Sequence, residues 1–157
     1  MKRVSGREGL AVDCFENVDF LAFRQAVHHL YLQSFSGMLR EFGLTQMEAD
    51  ILLFLANNPR YDTAAELVSV RHLTKSQVSG AVARLERRGY LRREPEGRKL
   101  HLRLLEAAEP AVRRGRVCQA GFFQAVMGDL SPRERAELGR LLTRLTENAG
   151  EALRQLN

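Results

Sequence analysis

The sequence predicts a mainly α chain that carries a single β-hairpin. Three observations predict it. Apolar residues recur at helical spacing over most of the 157 residues. Thr45 with Glu48, Thr63 with Glu66, Thr74 with Gln77 and Ser131 with Glu134 each read as an N-terminal capping box, in which a hydroxyl and a side chain three residues on satisfy the open donors of a first turn. In one place only does the period become two, where Leu100, Leu102 and Leu104 alternate with His101 and Arg103.

Residues 1–16 show little periodicity and read as a loose arm. A helix is expected over 17–42, with Phe20, Phe23, Val27, Leu30, Tyr31, Phe35, Met38 and Phe42 at helical spacing. These cover more than one stripe, and a helix apolar on two faces is buried on two sides, which points to a partner chain. Gly43 ends it as the residue after the last turn. The Thr45 box opens a helix to about Asn57, where Asn57-Asn58-Pro59 breaks it. The Thr63 box opens a short helix to about Val70, and the Thr74 box one to about Arg88, stopped by Gly89. Residues 90–93 are the expected partner of the Leu100 strand, with the turn over 94–98, where Pro and Gly lie. A long helix is expected over 106–127, with Pro110 early enough for its missing N–H to cost little. The last helix follows Ser131, with Pro132 at its first position. It places Leu138, Leu141, Leu142, Leu145, Ala149, Ala152 and Leu156 on one face.

Composition narrows the function. A chain 45% hydrophobic and 27% charged is too apolar for a disordered tail. Its longest apolar run, 51–56, falls far short of the roughly 18 residues that span a bilayer, so no membrane partner is expected. The basic start (Lys2, Arg3, Arg7) leads into no apolar segment, so no secretory signal is expected. Cys14 and Cys118 make neither a disulfide framework nor a zinc cage, and a reducing cytoplasm is the expected setting. His28 and His29 point about 100° apart on a helix and do not share a metal easily. No phosphate loop, GxSxG, HExxH or paired-carboxylate arrangement is present, so neither enzyme activity nor a metal or cofactor is expected.

Charge is concentrated instead. The net charge is +5, yet residues 71–103 hold ten Lys and Arg against Glu86, Glu94 and Glu96, which leaves the rest of the chain slightly negative. Such a compact basic segment is the footprint of phosphate contact. On a helical wheel Val78, Ala81, Val82 and Leu85 form a core face. The opposite side holds Ser76, Gly80, Ala83 and Arg87, flanked by Gln77, Ser79 and Arg84. Small residues on an exposed face let the helix backbone approach something, and a DNA major groove about 12 Å wide fits. Arg98 and Lys99 lie at or beside the hairpin tip, where a cation suits the enhanced negative potential of a narrow minor groove.

Residues 43–105 resemble the winged helix-turn-helix of MarR-type bacterial transcription regulators. "GLTQMEADILLFL", "LTKSQVSGAVARLERRGYLRR" and "EGRKLHLRLL" carry the resemblance, and with the flanking helices it covers about 18–153. The wing acid is Glu96 where Asp is usual, and Leu105-Glu106-Ala107-Ala108 stands in place of the usual Thr-x-x-Gly. The resemblance implies a single domain over 17–157, with 43–105 as the DNA-binding lobe and 17–42 and 106–157 as dimerisation helices. It implies a homodimeric repressor on palindromic double-stranded DNA. Ser76, Gln77, Ser79 and Arg84 would read bases, with Gly80 giving close approach. Arg71, Thr74, Lys75 and Arg87 would hold phosphates, and Arg98 with Lys99 the minor groove. A small aromatic or anionic effector is also implied, with His29, Leu32, Met38, Met47, Ile51, Phe54 and Phe122 as candidate pocket residues, although ordinary core is the favoured reading of each. Two rivals stand beside this reading: a winged helix that binds protein or ligand without DNA, and a thiol-based redox regulator working through Cys14 or Cys118.

Overall fold

A computed structural model describes residues 19–156; the arm over 1–16, Cys14 within it and the expected helix start at Asn17 lie outside the described residues. The elements are α1 (Phe20–Phe42), α2 (Gln46–Asn57), α3 (Ala64–Arg71), α4 (Lys75–Arg87), β1 (Leu91–Glu96), β2 (Lys99–Leu104), α5 (Glu109–Met127) and α6 (Pro132–Gln155).

All four capping boxes form, with both reciprocal bonds present, at Thr45, Thr63, Thr74 and Ser131. They start helices where the chain has just turned. Gly43 takes a left-handed φ of 59°, and the Leu44 N–H reaches back to the Leu39 carbonyl at 2.9 Å, so α1 stops and α2 starts within three residues.

The helices pack on what they bury. Leu52 and Leu53 of α2, Leu67 of α3, Val78, Val82 and Leu85 of α4 and Leu91 of β1 are all buried. Phe35 and Met38 of α1 and Ala111 and Val112 of α5 join the same cluster. Within the described residues, the chain up to Phe122 and the chain from Phe123 onward are two compact units. In the second, Gly128 turns the chain at φ 45°, and the Arg135 guanidinium donates to the Leu130 and Gly128 carbonyls at 2.8 and 3.1 Å. Of the expected apolar face of α6, Leu141, Leu142, Leu145 and Leu156 are exposed.

Two expectations are corrected. β1 runs on to Glu96 instead of ending near Arg93, and Glu94, Pro95 and Glu96 pair with His101, Leu100 and Lys99. The turn is therefore only Gly97 and Arg98, with a positive φ of 60° at Gly97, as a two-residue hairpin with glycine first requires. Pro95 thus lies in a strand and not in the turn, and β1 tolerates it because β1 is an edge strand. The helix expected from residue 106 begins as a 3₁₀ turn, Glu106–Ala108, and becomes α-helical only at Glu109. Leu105, which precedes that turn, provides no side-chain cap.

One glycine sets how closely α5 approaches α2. A Cβ at Gly115 would stand 2.9 Å from Leu53 Cδ2 and 3.2 Å from its Cγ, and Leu53 is itself buried. Gly115→Leu is expected to lower stability by about 1–3 kcal/mol through overpacking. Gly121→Ala, in the same helix where no described atom lies within 4 Å, is expected to leave stability unchanged or raise it by up to ~1 kcal/mol. Urea denaturation of the two variants checks the contrast.

Candidate nucleic-acid interface

α4 divides by burial as its sequence divides by size. Val78, Ala81, Val82 and Leu85 are buried. Thr74, Lys75, Ser76, Gln77, Ser79, Arg84 and Arg87 are exposed, and Gly80 and Ala83 are half-buried. The first half of α4 thus presents hydroxyls, a lysine and an amide on a thin backbone. The Gln77 Oε1 is committed to the cap, accepting from the Thr74 N–H at 3.0 Å and the Thr74 hydroxyl at 2.9 Å. Its remaining donor capacity is the amide NH₂.

Arg84 has an internal partner. Its Nε donates to the Glu48 Oε1 at 2.5 Å, and Glu48 is only 3% exposed. The other carboxylate oxygen accepts from the Thr45 N–H at 2.9 Å, closing the cap of α2. The Arg84 guanidinium lies over Gly80, where a Cβ would meet its Nη1 at 3.4 Å. Burial opposes the charge on Glu48, but the hydrogen bonds from Thr45 and Arg84 and the Arg84 charge outweigh it, holding the carboxyl below the usual carboxylate range.

Arg88, which the sequence reading left without a role, ends α4 and closes the lobe at the other side. Its guanidinium donates to the Phe42 and Gly43 carbonyls and stacks 5.0 Å over the Tyr90 ring. Arg84, Arg87 and Arg88 line one groove with Gly43 and Thr45.

The wing follows α4 directly. Arg98 and Lys99 are exposed at its tip, beside residues 63–66 at the start of α3. Its root is tied to α4, where Glu86 accepts from the Arg93 guanidinium at 3.0 Å and from the Arg93 N–H at 3.3 Å.

Arg71 stands apart from this face. Its guanidinium lies 5.8 Å over the Phe54 ring and lines a cavity of about 70 Å³ with Tyr31, Asp50, Asn57 and Gln119. Of the candidate pocket residues, only Phe54 lines that cavity. Met38 and Ile51 are buried core, Met47 packs against the core, and Phe122 is buried with its ring 5.2 Å from Tyr31. His29 and Leu32 are exposed. The polar lining escaped the sequence reading because Tyr31 reads as one more apolar position of α1. Its hydroxyl donates to Asp50 at 2.5 Å, and burial, then that bond and the Asp50 charge, push the phenol well above its ordinary range. Cys118 is buried, which denies it the exposure a sensing thiol needs. Among the described residues no group of three or more His, Cys, Asp or Glu could hold a metal ion, and no helix is long and apolar enough to cross a membrane.

Three short helices around one core, the third exposing a thin polar face and running into a cationic hairpin, define a winged helix-turn-helix protein. Residues 42–99 match the model of the MarR family, and the chain has the MarR winged helix-turn-helix fold. No curated protein sequence matches the chain. Among solved structures, it is similar to the Staphylococcus aureus MepR–DNA complex at 18% identity, a TM-score of 0.72 and coverage of 85% of this chain and 98% of that one. A MarR family regulator from Listeria monocytogenes in complex with 26mer DNA gives 16% identity, a TM-score of 0.76 and coverage of 85% and 91%. BpsR of Bordetella bronchiseptica, whose DNA binding is regulated by 6-hydroxynicotinic acid, gives 19% identity, a TM-score of 0.65 and coverage of 80% and 96%.

The Glu48 pair yields a pH prediction. A carboxyl held low in the folded state contributes stability above its unfolded value, near pH 4, and loses it as pH falls through the folded value. Glu48→Gln keeps the shape and the cap but not the charge, and is expected to cost on the order of 1 kcal/mol at pH 7. The gap from the wild type should close as pH falls below about 4. Urea titrations of both proteins across that range check it.

Proposed function

We propose that the protein is a homodimeric, sequence-specific DNA-binding transcription regulator, a repressor acting at palindromic operators. The observation that carries this reading is the exposed face of α4, with Ser76 and Ser79 beside the half-buried Gly80 and Arg98 at the tip of the adjoining wing. A protein partner requires neither the small face nor the concentration of charge over residues 71–103. Ser76, Ser79 and the Gln77 amide would read base edges, while Thr74, Lys75 and Arg87 would hold phosphates. Arg98, with Lys99, would enter the minor groove. Arg84 would contribute its outer nitrogens while its Nε stays on Glu48. The structural relatives in complex with DNA support the reading.

One α4 reads too few base pairs for an operator, so two copies are needed, with their recognition helices about 34 Å apart. The exposed Leu141, Leu142 and Leu145 of α6 support a dimer through the terminal helices. An effector would act by binding one spacing of the two lobes better than the other. In the cavity beside Arg71, Tyr31 and Asp50 the Arg71 guanidinium would pair with an aromatic anion, against the opposing charge of Asp50, to which the Tyr31 hydroxyl is already committed. At about 70 Å³ the cavity is far below the roughly 300 Å³ of ordinary ligand pockets, so occupancy requires the helices around it to part.

The test is selection of bound fragments from genomic DNA, followed by titration of the selected site against salt. Affinity should fall steeply with ionic strength, because each neutralised phosphate releases counterions. Arg98→Ala should weaken binding about tenfold or more, most where the flank beneath the wing is A·T-rich. Retention that ignores salt, or an Arg98→Ala protein with wild-type affinity, contradicts the assignment of the wing.

A further inference from the structure

Asp62, in the loop before α3, has no role in the reading above, yet it holds the wing by both backbone and side chain. Its carbonyl accepts from the Leu102 N–H at 2.6 Å, and Thr63 bridges antiparallel to His101, so the loop adds a short third edge to β2. Its side chain is 18% exposed and both carboxylate oxygens are engaged. Oδ1 lies 2.6 Å from His101 Nδ1, and Oδ2 accepts from the Arg103 guanidinium. His101 and Arg103 are two apart on β2 and share a face. Two acids of β1 complete the cluster. Glu94 accepts from Arg103 Nε at 3.3 Å, and Glu96 stands 3.6 Å from Arg103 Nη2 and 3.8 Å from His101 Nε2. Burial opposes the charge on Asp62, but the hydrogen bond from His101 and the charges of His101 and Arg103 outweigh it and hold the carboxyl below its ordinary range.

A two-stranded ribbon is marginal by itself. The Glu86–Arg93 pair ties this one at its root. Asp62 ties it further out, at His101, three residues or roughly 10 Å from Arg98 along the strand. The minor groove is about 6 Å wide, so a tip displaced by a few ångströms misses it. We propose that Asp62 is the positioning residue of the wing: through His101 and Arg103 it fixes where Arg98 stands, and so controls DNA affinity and flank preference without touching DNA. The inference rests on the DNA-binding reading above.

The experiment is a double-mutant cycle on the selected DNA site, with backbone ¹⁵N relaxation of the DNA-free protein. Asp62→Ala is expected to weaken binding about tenfold, nearly as much as Arg98→Ala, and the double variant to bind no more weakly than Arg98→Ala alone. Without DNA, Asp62→Ala should loosen residues 97–99 to order parameters below about 0.6 while α4 stays near 0.85. If Asp62→Ala disturbs the fold, Asp62→Asn, which keeps the size and one acceptor, should show the same coupling with a smaller loss. Wild-type affinity in the Asp62 variants, or losses that add in the double variant, overturns the proposal. If Arg98→Ala binds as the wild type does, the minor-groove reading of the wing has failed, and relaxation then decides the latch alone: a tip still rigid in the Asp62 variants overturns it.

Discussion

The Glu48 carboxylate fixes α4 against α2 because both of its oxygens are committed, one to the first turn of its own helix and one to Arg84. A carboxylate this deeply buried is tolerable only when fully partnered, since an unpaired buried charge costs several kcal/mol. That condition constrains the neighbourhood. Arg84 folds back across Gly80 to place its Nε on Glu48, and a cap that would otherwise be local becomes a tie between two helices. The core behind them, Leu52, Val78, Val82 and Leu85, is non-directional and could accept some sliding of one helix on the other. The ion pair is directional and could not. What α4 presents outward therefore follows from what Glu48 requires inward.

The same logic recurs at the wing with less burial. A ribbon of two six-residue strands has little core of its own beyond Leu91 and Leu102. Its direction is set by polar ties, Glu86 to Arg93 at the root and Asp62 to His101 and Arg103 further out. Exposed ion pairs contribute little to stability. Their value here lies in geometry, since they decide where a guanidinium at the tip stands relative to α4. From Arg84 on, all the arginines of the basic segment but Arg92 fall into two groups. Arg84, Arg88, Arg93 and Arg103 hold the lobe together, while Arg87 and Arg98 face outward.

Much of this was legible in the sequence because it is local. Each capping box joins residues three apart, and each has the expected bonds. The division of α4 into a buried and a thin exposed face follows from a 3.6-residue period, and the chain's resemblance to MarR-type regulators rests on the same stretch. What could not be read spans long separations. Glu48 and Arg84 are 36 residues apart, and Asp62 and Arg103 are 41 apart. Composition counted these side chains as surface charge. The place of Arg71 over Phe54, 17 residues away, likewise depends on how α3 ends beside α2. Pro95 and Gly97 both signal turns, so local sequence lengthens the hairpin turn, and only pairing shows that Pro95 remains in the strand. Apolarity marks a ligand pocket and a core alike, and Met38 and Ile51 are core.

Methylation interference on the selected DNA site tests most directly whether α4 and the wing enter the grooves as described. Dimethyl sulfate marks guanine N7 in the major groove and adenine N3 in the minor groove, so one reagent reports on both elements. Guanine interference is expected in two stretches about 10 base pairs apart, with adenine interference on their outer flanks, beneath the wings. Arg98→Ala should remove the adenine signal and leave the guanine signal. Interference at adenine alone, or a single guanine stretch without a symmetric partner, would contradict an α4 held outward by Glu48 as the element that reads the major groove.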